Sequence, residues 1–205
     1  MEDVLIPEKR EFLRGIEEYR IHEKRDPMYK VATNLISSSW GNPSEVVDGL
    51  GVLLMTWNQA FYRYGSFDFN ELENCIVKNQ DLINSFRGRT IDSLKNKDDV
   101  KVKELFNSFL DALKIADGKS RGKRSPVSVA KALHLLAPKF FPLWDDKIAK
   151  AYSCHYSINA DDQYLKYCYT SKEIFNKVKN YKLDSRLTLK LIDEYNYSKY
   201  TRKWI

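Results

Sequence analysis

Residues 100–145 read VKVKELFNSFLDALKIADGKSRGKRSPVSVAKALHLLAPKFFPLWD, and their punctuation decides the fold. Val100, Leu105, Phe109 and Leu113 recur at helical spacing, so one apolar face of a helix over 98–115 turns inward. The pattern then breaks at Ala116 to Arg124, where Gly118 and Gly122 flank Lys119 and Arg121 and where Lys123 and Arg124 follow. Two glycines and a cluster of cations describe an exposed basic loop. Ser125-Pro126 is a helix-start pair, with the hydroxyl placed to cap and proline suited to the first turn, for a helix reaching Leu136. Pro138 stops it, Phe140 to Trp144 form an apolar connector, and Asp145 opens the next helix. The unit is therefore helix, basic glycine loop, helix, connector, aspartate.

Outward from this unit the same periodicity continues, and no stretch alternates as a strand does. Helices are expected over 7–23, 27–37, 44–63, 70–78 and 79–85, with a short one over 90–96. Beyond the unit they are expected over 145–152, 161–169, 171–180 and 185–199. An all-α fold without a sheet follows.

The chain has 205 residues, 43% of them hydrophobic and only 8 of them glycine, which is enough for a sizeable core and excludes a disordered or fibrous chain. Its net charge of +6 favours a polyanionic partner. Cys75, Cys154 and Cys168 are odd in number and unrelated in spacing, which fits reduced thiols in the cytoplasm. The start, MEDVLIPEKREF, lacks the basic lead and long apolar run of a signal peptide, so no export is expected. The longest apolar run, 50–57, is too short to span a bilayer, so no membrane partner is expected.

Among catalytic signatures, metal-ligand spacing is missing around His22, His134 and His155, so no metal is expected. No phosphate-binding glycine loop follows a strand, and no nucleophile elbow occurs, which removes nucleotide hydrolysis and serine-hydrolase chemistry.

Ser125-Pro126-Val127-Ser128-Val129-Ala130-Lys131-Ala132, followed by Phe141-Pro142-Leu143-Trp144-Asp145-Asp146-Lys147-Ile148, resembles the core of helix-hairpin-helix DNA glycosylases of the endonuclease III type. That family shows a Pro-Gly-Val-Gly hairpin, a helix, and a Val-Asp-Thr-His-Val segment whose aspartate is catalytic. The stretch from Leu50 to Gln59 is similar to the family's first core helix, which ends in a polar DNA-facing cluster, and the resemblance covers about 50–152. It implies a single all-α unit of two lobes around a cleft. Lobe A would be 50–150 with the hairpin, and lobe B would be 1–49 together with 151–205. It also implies duplex DNA as partner, a monomer, no cofactor, and base excision as the activity. Asp145 matches the catalytic aspartate, and Asn58 or Gln59 would fill the gap left by an extruded base. Bifunctional members carry a lysine at the position of Val127; Lys123 precedes it, and Lys131, one turn on, is the second catalytic candidate.

The chemistry is consistent with that assignment. Breaking an N-glycosidic bond builds positive charge on the sugar, which a carboxylate such as Asp145 can stabilise. Flipping a base needs aromatic walls, for which Trp57, Phe61 and Trp144 are the local candidates. The backbone of Gly118 and Gly122 with the side chains of Lys119, Arg121, Lys123 and Arg124 would hold phosphates without reading sequence. Each residue also has a plain structural reading: Asp145 as a helix cap, the tryptophans as core, the loop as a solvated turn, Lys131 as an exposed helix residue, and His134 as a satisfied core histidine. A DNA-binding module of the same fold without catalysis, and an all-α adaptor, are the alternatives.

Overall fold

A computed structural model describes residues 6–181 and 188–205. The described residues form α-helices joined by turns and short 3-10 segments, with no strand among them, so the all-α expectation holds. The helices are α1 (Lys9–His22), α2 (Asp26–Ser38), α3 (Pro43–Trp57), α4 (Phe69–Lys78) and α5 (Gln80–Arg87). They continue with α6 (Asp99–Ala112), α7 (Pro126–Leu136), α8 (Asp146–Ala151), α9 (Ala160–Val178) and α10 (Thr188–Asn196), which runs into a π-helical turn, Tyr197–Arg202. None is long and apolar enough to cross a membrane. The first residues of the expected 185–199 helix, and the first five of the chain, lie outside the described residues.

The central element is α7, in which every residue from Ser128 to Leu136 is buried. Such a helix must be sheathed on all sides, and α2, α3 and α6 pack against it. α6 also carries α4 and α9, while α1 lies against α10 and the π-helical turn, so the first and last of these helices meet beside the core. One apolar cluster runs through the molecule from Phe12 to Tyr195.

Three boundaries differ from the periodicity reading. α3 stops at Trp57 rather than at position 63, because the Asn58 backbone closes a turn and its side chain is drawn toward α7. The 90–96 segment forms 3-10 turns, tied down by the Arg89 guanidinium gripping both oxygens of Asp98 and the Ser93 backbone. α9 runs unbroken through Thr170 and Ser171, which are buried, since the stripe Tyr164, Tyr167, Cys168, Ile174, Phe175 keeps its helical spacing across them. Tertiary packing there outweighs the weak helix preference of serine and threonine.

Between α6 and α7 the chain doubles back. Ile115 N–H donates to Lys123 O at 2.9 Å and Gly122 N–H returns to Ile115 O at 2.7 Å. Ala116 N–H donates to Ser66 O at 2.7 Å, tying the hairpin to the turn after α3. Both hairpin glycines have positive φ, +66° at Gly118 and +82° at Gly122, a conformation other residues adopt only at a cost. They differ in surroundings: a Cβ on Gly118 would lie 2.3 Å from Tyr64 O, whereas Gly122 has open space. Gly118→Ala should therefore cost about 3 kcal/mol and Gly122→Ala about 1 kcal/mol in urea unfolding. Equal costs would show that the hairpin is not held against Tyr64.

Candidate active site

A cavity of about 610 Å³ opens at the foot of the hairpin. Its walls are the turn after α3, the start of α7, the α8 N-terminus, the end of α1 and the C-terminal turn. Trp57, Asn58, Gln59, Phe61, Lys131, Trp144 and Asp145 all line it.

Asp145 caps α8: its Oδ1 accepts the Ile148 backbone N–H at 2.8 Å. Its Oδ2 accepts the Thr201 hydroxyl at 2.6 Å. The cap reading is correct, and it also fixes the carboxylate at the cavity wall with Oδ2 oriented by a residue from the far end of the chain. A carboxylate oxygen has two acceptor directions, so Oδ2 keeps capacity for a further contact.

Lys131 is buried, not on an exposed helix face, because α7 has no exposed face over that stretch. Its Nζ donates to Trp57 O at 2.9 Å and to Asn58 Oδ1 at 2.6 Å. Asn58 in turn donates to Ser128 Oγ at 2.5 Å, and Ser125 Oγ caps α7 by accepting Ser128 N–H at 3.2 Å. Burial pushes the Lys131 ammonium down to about 8, with nearby Arg25 adding to the shift and Asp145 and Asp193 opposing it. A relay of hydrogen-bonded side chains thus holds an amine that deprotonates unusually easily.

The aromatic candidates divide. Trp57 is half-buried, stacked on Tyr29 with centroids 5.7 Å apart, and its indole N–H donates to Arg25 O at 3.1 Å. Phe61 is half-buried with its edge against Tyr62. Trp144 is only 1% exposed and packs against Tyr156, Tyr164, Tyr167 and Phe106, so it floors the cavity but has no free face for a base. His134 is buried as expected, between the Tyr29 hydroxyl at 2.9 Å and Phe141 O at 2.8 Å, and burial pushes it down to about 4.

The basic loop lies beside the cavity rather than in its wall. Gly118, Lys119, Arg121, Gly122, Lys123 and Arg124 do not line it, whereas Ser125 and Val127, directly following, do. Arg124 is paired with Asp111 at 2.6 Å, while Lys119, Arg121 and Lys123 are exposed and enter no ion pair among the described residues. The cavity rim carries further cations: Arg25, Arg63, Lys147 and Arg202. Gln59 is exposed at this rim, whereas Asn58 is half-buried and engaged with Lys131.

Several lining residues had no signal in the local sequence. Tyr19 and Glu23 come from the end of α1; Asp193, Tyr197 and Thr201 come from α10 and the turn after it. Arg25 forks onto both oxygens of Glu23 at 2.9 Å each and onto the Tyr197 hydroxyl at 2.8 Å, which clamps the α1–α2 corner to the C-terminal turn. Behind them, Lys190 is fully enclosed between Asp193 and Glu194, each at 3.4 Å, and over the Tyr19 ring at 4.1 Å. Comparisons with protein-family models, curated proteins and solved structures find no match, so the geometry alone supports a functional reading.

Proposed function

We propose that the chain binds duplex DNA and cleaves the N-glycosidic bond of a flipped base in this cavity. One observation carries the reading: a carboxylate and an amine of lowered basicity, Asp145 and Lys131, share a cavity beside a hairpin whose Lys119, Arg121 and Lys123 are exposed and, among the described residues, outside any ion pair. The hairpin and the rim cations supply phosphate contacts, Trp57 and Phe61 supply apolar surface for the base, and Asp145 Oδ2 faces the charge that develops on the sugar. Once the base has left, the neutral Lys131 amine is a nucleophile for C1′ of the abasic sugar, the step that adds strand cleavage to base release.

The test is abasic-site formation in duplex oligonucleotides, each carrying one altered base: uracil, hypoxanthine, 8-oxoguanine or an N-methylated purine. Release of one of them by the purified chain supports the reading, and release of none overturns the catalytic part. Binding is read separately. Replacing Arg121 and Lys123 together by alanine should weaken binding to all sequences alike and flatten the dependence of log affinity on log salt by about 0.9 for each phosphate that is no longer neutralised. Unfolding should hardly change, since these are exposed loop charges. An unchanged slope with DNA still bound would move the binding surface away from the hairpin.

A further inference from the structure

We propose that Asp193 is the acid of this cavity, delivering a proton to the departing base nitrogen as the C1′–N bond breaks. The inference rests on the N-glycosidase reading above and assigns a role to a residue outside the hairpin unit. Two carboxyl groups line the cavity from different elements and in opposite settings. Asp145 is half-buried, bound through both oxygens to a backbone N–H and a hydroxyl, which are donors suited to a carboxylate. Asp193, from α10, is 8% exposed, and its one hydrogen bond among the described residues is the long 3.4 Å contact from Lys190.

Charged and titratable groups face Asp193 from several elements. On its own helix, Lys190 favours the charged form and Glu194 opposes it. Asp145 at the start of α8 opposes it as well, and Lys131 on α7 senses both aspartates. Tyr19 of α1, Tyr29 of α2 and Tyr167 of α9 face it as neutral phenols, all held above the usual tyrosine range, first of all by burial. Asp26 of α2 shares Lys190 with it at 3.9 Å. Burial dominates and, despite Lys190, pushes the Asp193 carboxyl up to about 6. Two carboxyls in one cavity, one buried with a single long contact and the other held by a backbone N–H and a hydroxyl, can divide the work of proton donor and charge-stabilising partner.

The step balances. The electron pair of the C1′–N bond passes to the base nitrogen, which takes the Asp193 proton. A water adds to C1′ and gives its proton to the Asp145 carboxylate, and exchange with solvent returns both groups to their starting states. A neutral base is a poor leaving group and needs this proton, whereas a purine methylated at ring N3 or N7 already carries positive charge and departs without it.

The experiment is single-turnover base release against pH, in the full chain, from the oligonucleotides named above. With a neutral base the wild type should show a limb that falls above about pH 6, and Asp193→Asn should abolish the limb and lower the rate at pH 6 by about 10²–10⁴-fold. DNA affinity should be unchanged, Asp193→Glu should restore the limb, and release of the cationic purine should not respond to Asp193→Asn. Should Asp193→Asn fail to fold, carboxyl-carbon NMR of the wild type decides: Asp193 titrating near pH 6 supports the role, and titration in the ordinary aspartate range overturns it. An unaltered pH profile in Asp193→Asn, or a wild type that releases only the cationic base, overturns the inference while leaving the N-glycosidase reading intact. A wild type that releases no base overturns both.

Discussion

Asp145→Asn should leave DNA binding within about twofold of the wild type and lower base release on the order of a thousandfold, the usual scale for removing one charge-stabilising group from a transition state. The substitution separates the two jobs of this side chain. Asparagine caps a helix as well as aspartate does, so the Oδ1 contact to Ile148 N–H survives and α8 should stay in place. The Thr201 hydroxyl also keeps an acceptor or donor opposite it. What disappears is the negative charge, and only the charge opposes the cation developing on the sugar. Binding should if anything tighten slightly, because one anion is removed from the surface proposed to meet phosphates. Undiminished base release in the variant would reduce Asp145 to its cap.

The parts of the fold legible in the sequence were those fixed by neighbours along the chain. Ser125-Pro126 caps and starts α7, Asp145 caps α8, and the two glycines break the helix into an exposed loop. Each involves a hydrogen bond or dihedral within a few residues. Asp145, Asn58 and Lys131 were named from the sequence and line one cavity, but the burial of Lys131 was not legible, because nothing in α7 itself shows that neighbours enclose it on every side. Trp144 shows the converse: its place before Asp145 was legible, while the four aromatic rings that cover it come from α6, α9 and the turn after α8. Asp193 and Thr201 reach the cavity only because α10 packs against α1 and the turn beyond it packs against α8, contacts between segments far apart in sequence.

The same C-terminal helix carries the largest stability effect to be expected. Lys190→Met should cost about 3–5 kcal/mol at pH 8, because it removes the cation enclosed with Asp193 and Glu194 while leaving both carboxylates buried. Burial by itself would lower the Lys190 ammonium, but Asp193 and Glu194, with Tyr29 and Asp26, outweigh it and hold the group above its ordinary range. The cation also sits over the rings of Tyr19, Tyr29 and Trp57, at 4.1, 5.2 and 5.4 Å, a site that methionine fills in volume but not in charge. The sign of the pH dependence follows from the carboxyls left behind. Without Lys190 their folded-state acidity weakens further below that of the unfolded chain, so they are protonated and tolerated at low pH and become costly as pH rises through their raised values. The deficit of Lys190→Met relative to wild type, measured by urea unfolding, should therefore be clearly smaller at pH 5 than at pH 8. Adding Asp193→Asn and Glu194→Gln should recover most of it, since replacing all the charges leaves no buried ion unpaired. A deficit that is the same at both pH values and persists in the triple variant would mean that Lys190 acts through packing over the aromatic rings and not as a counterion.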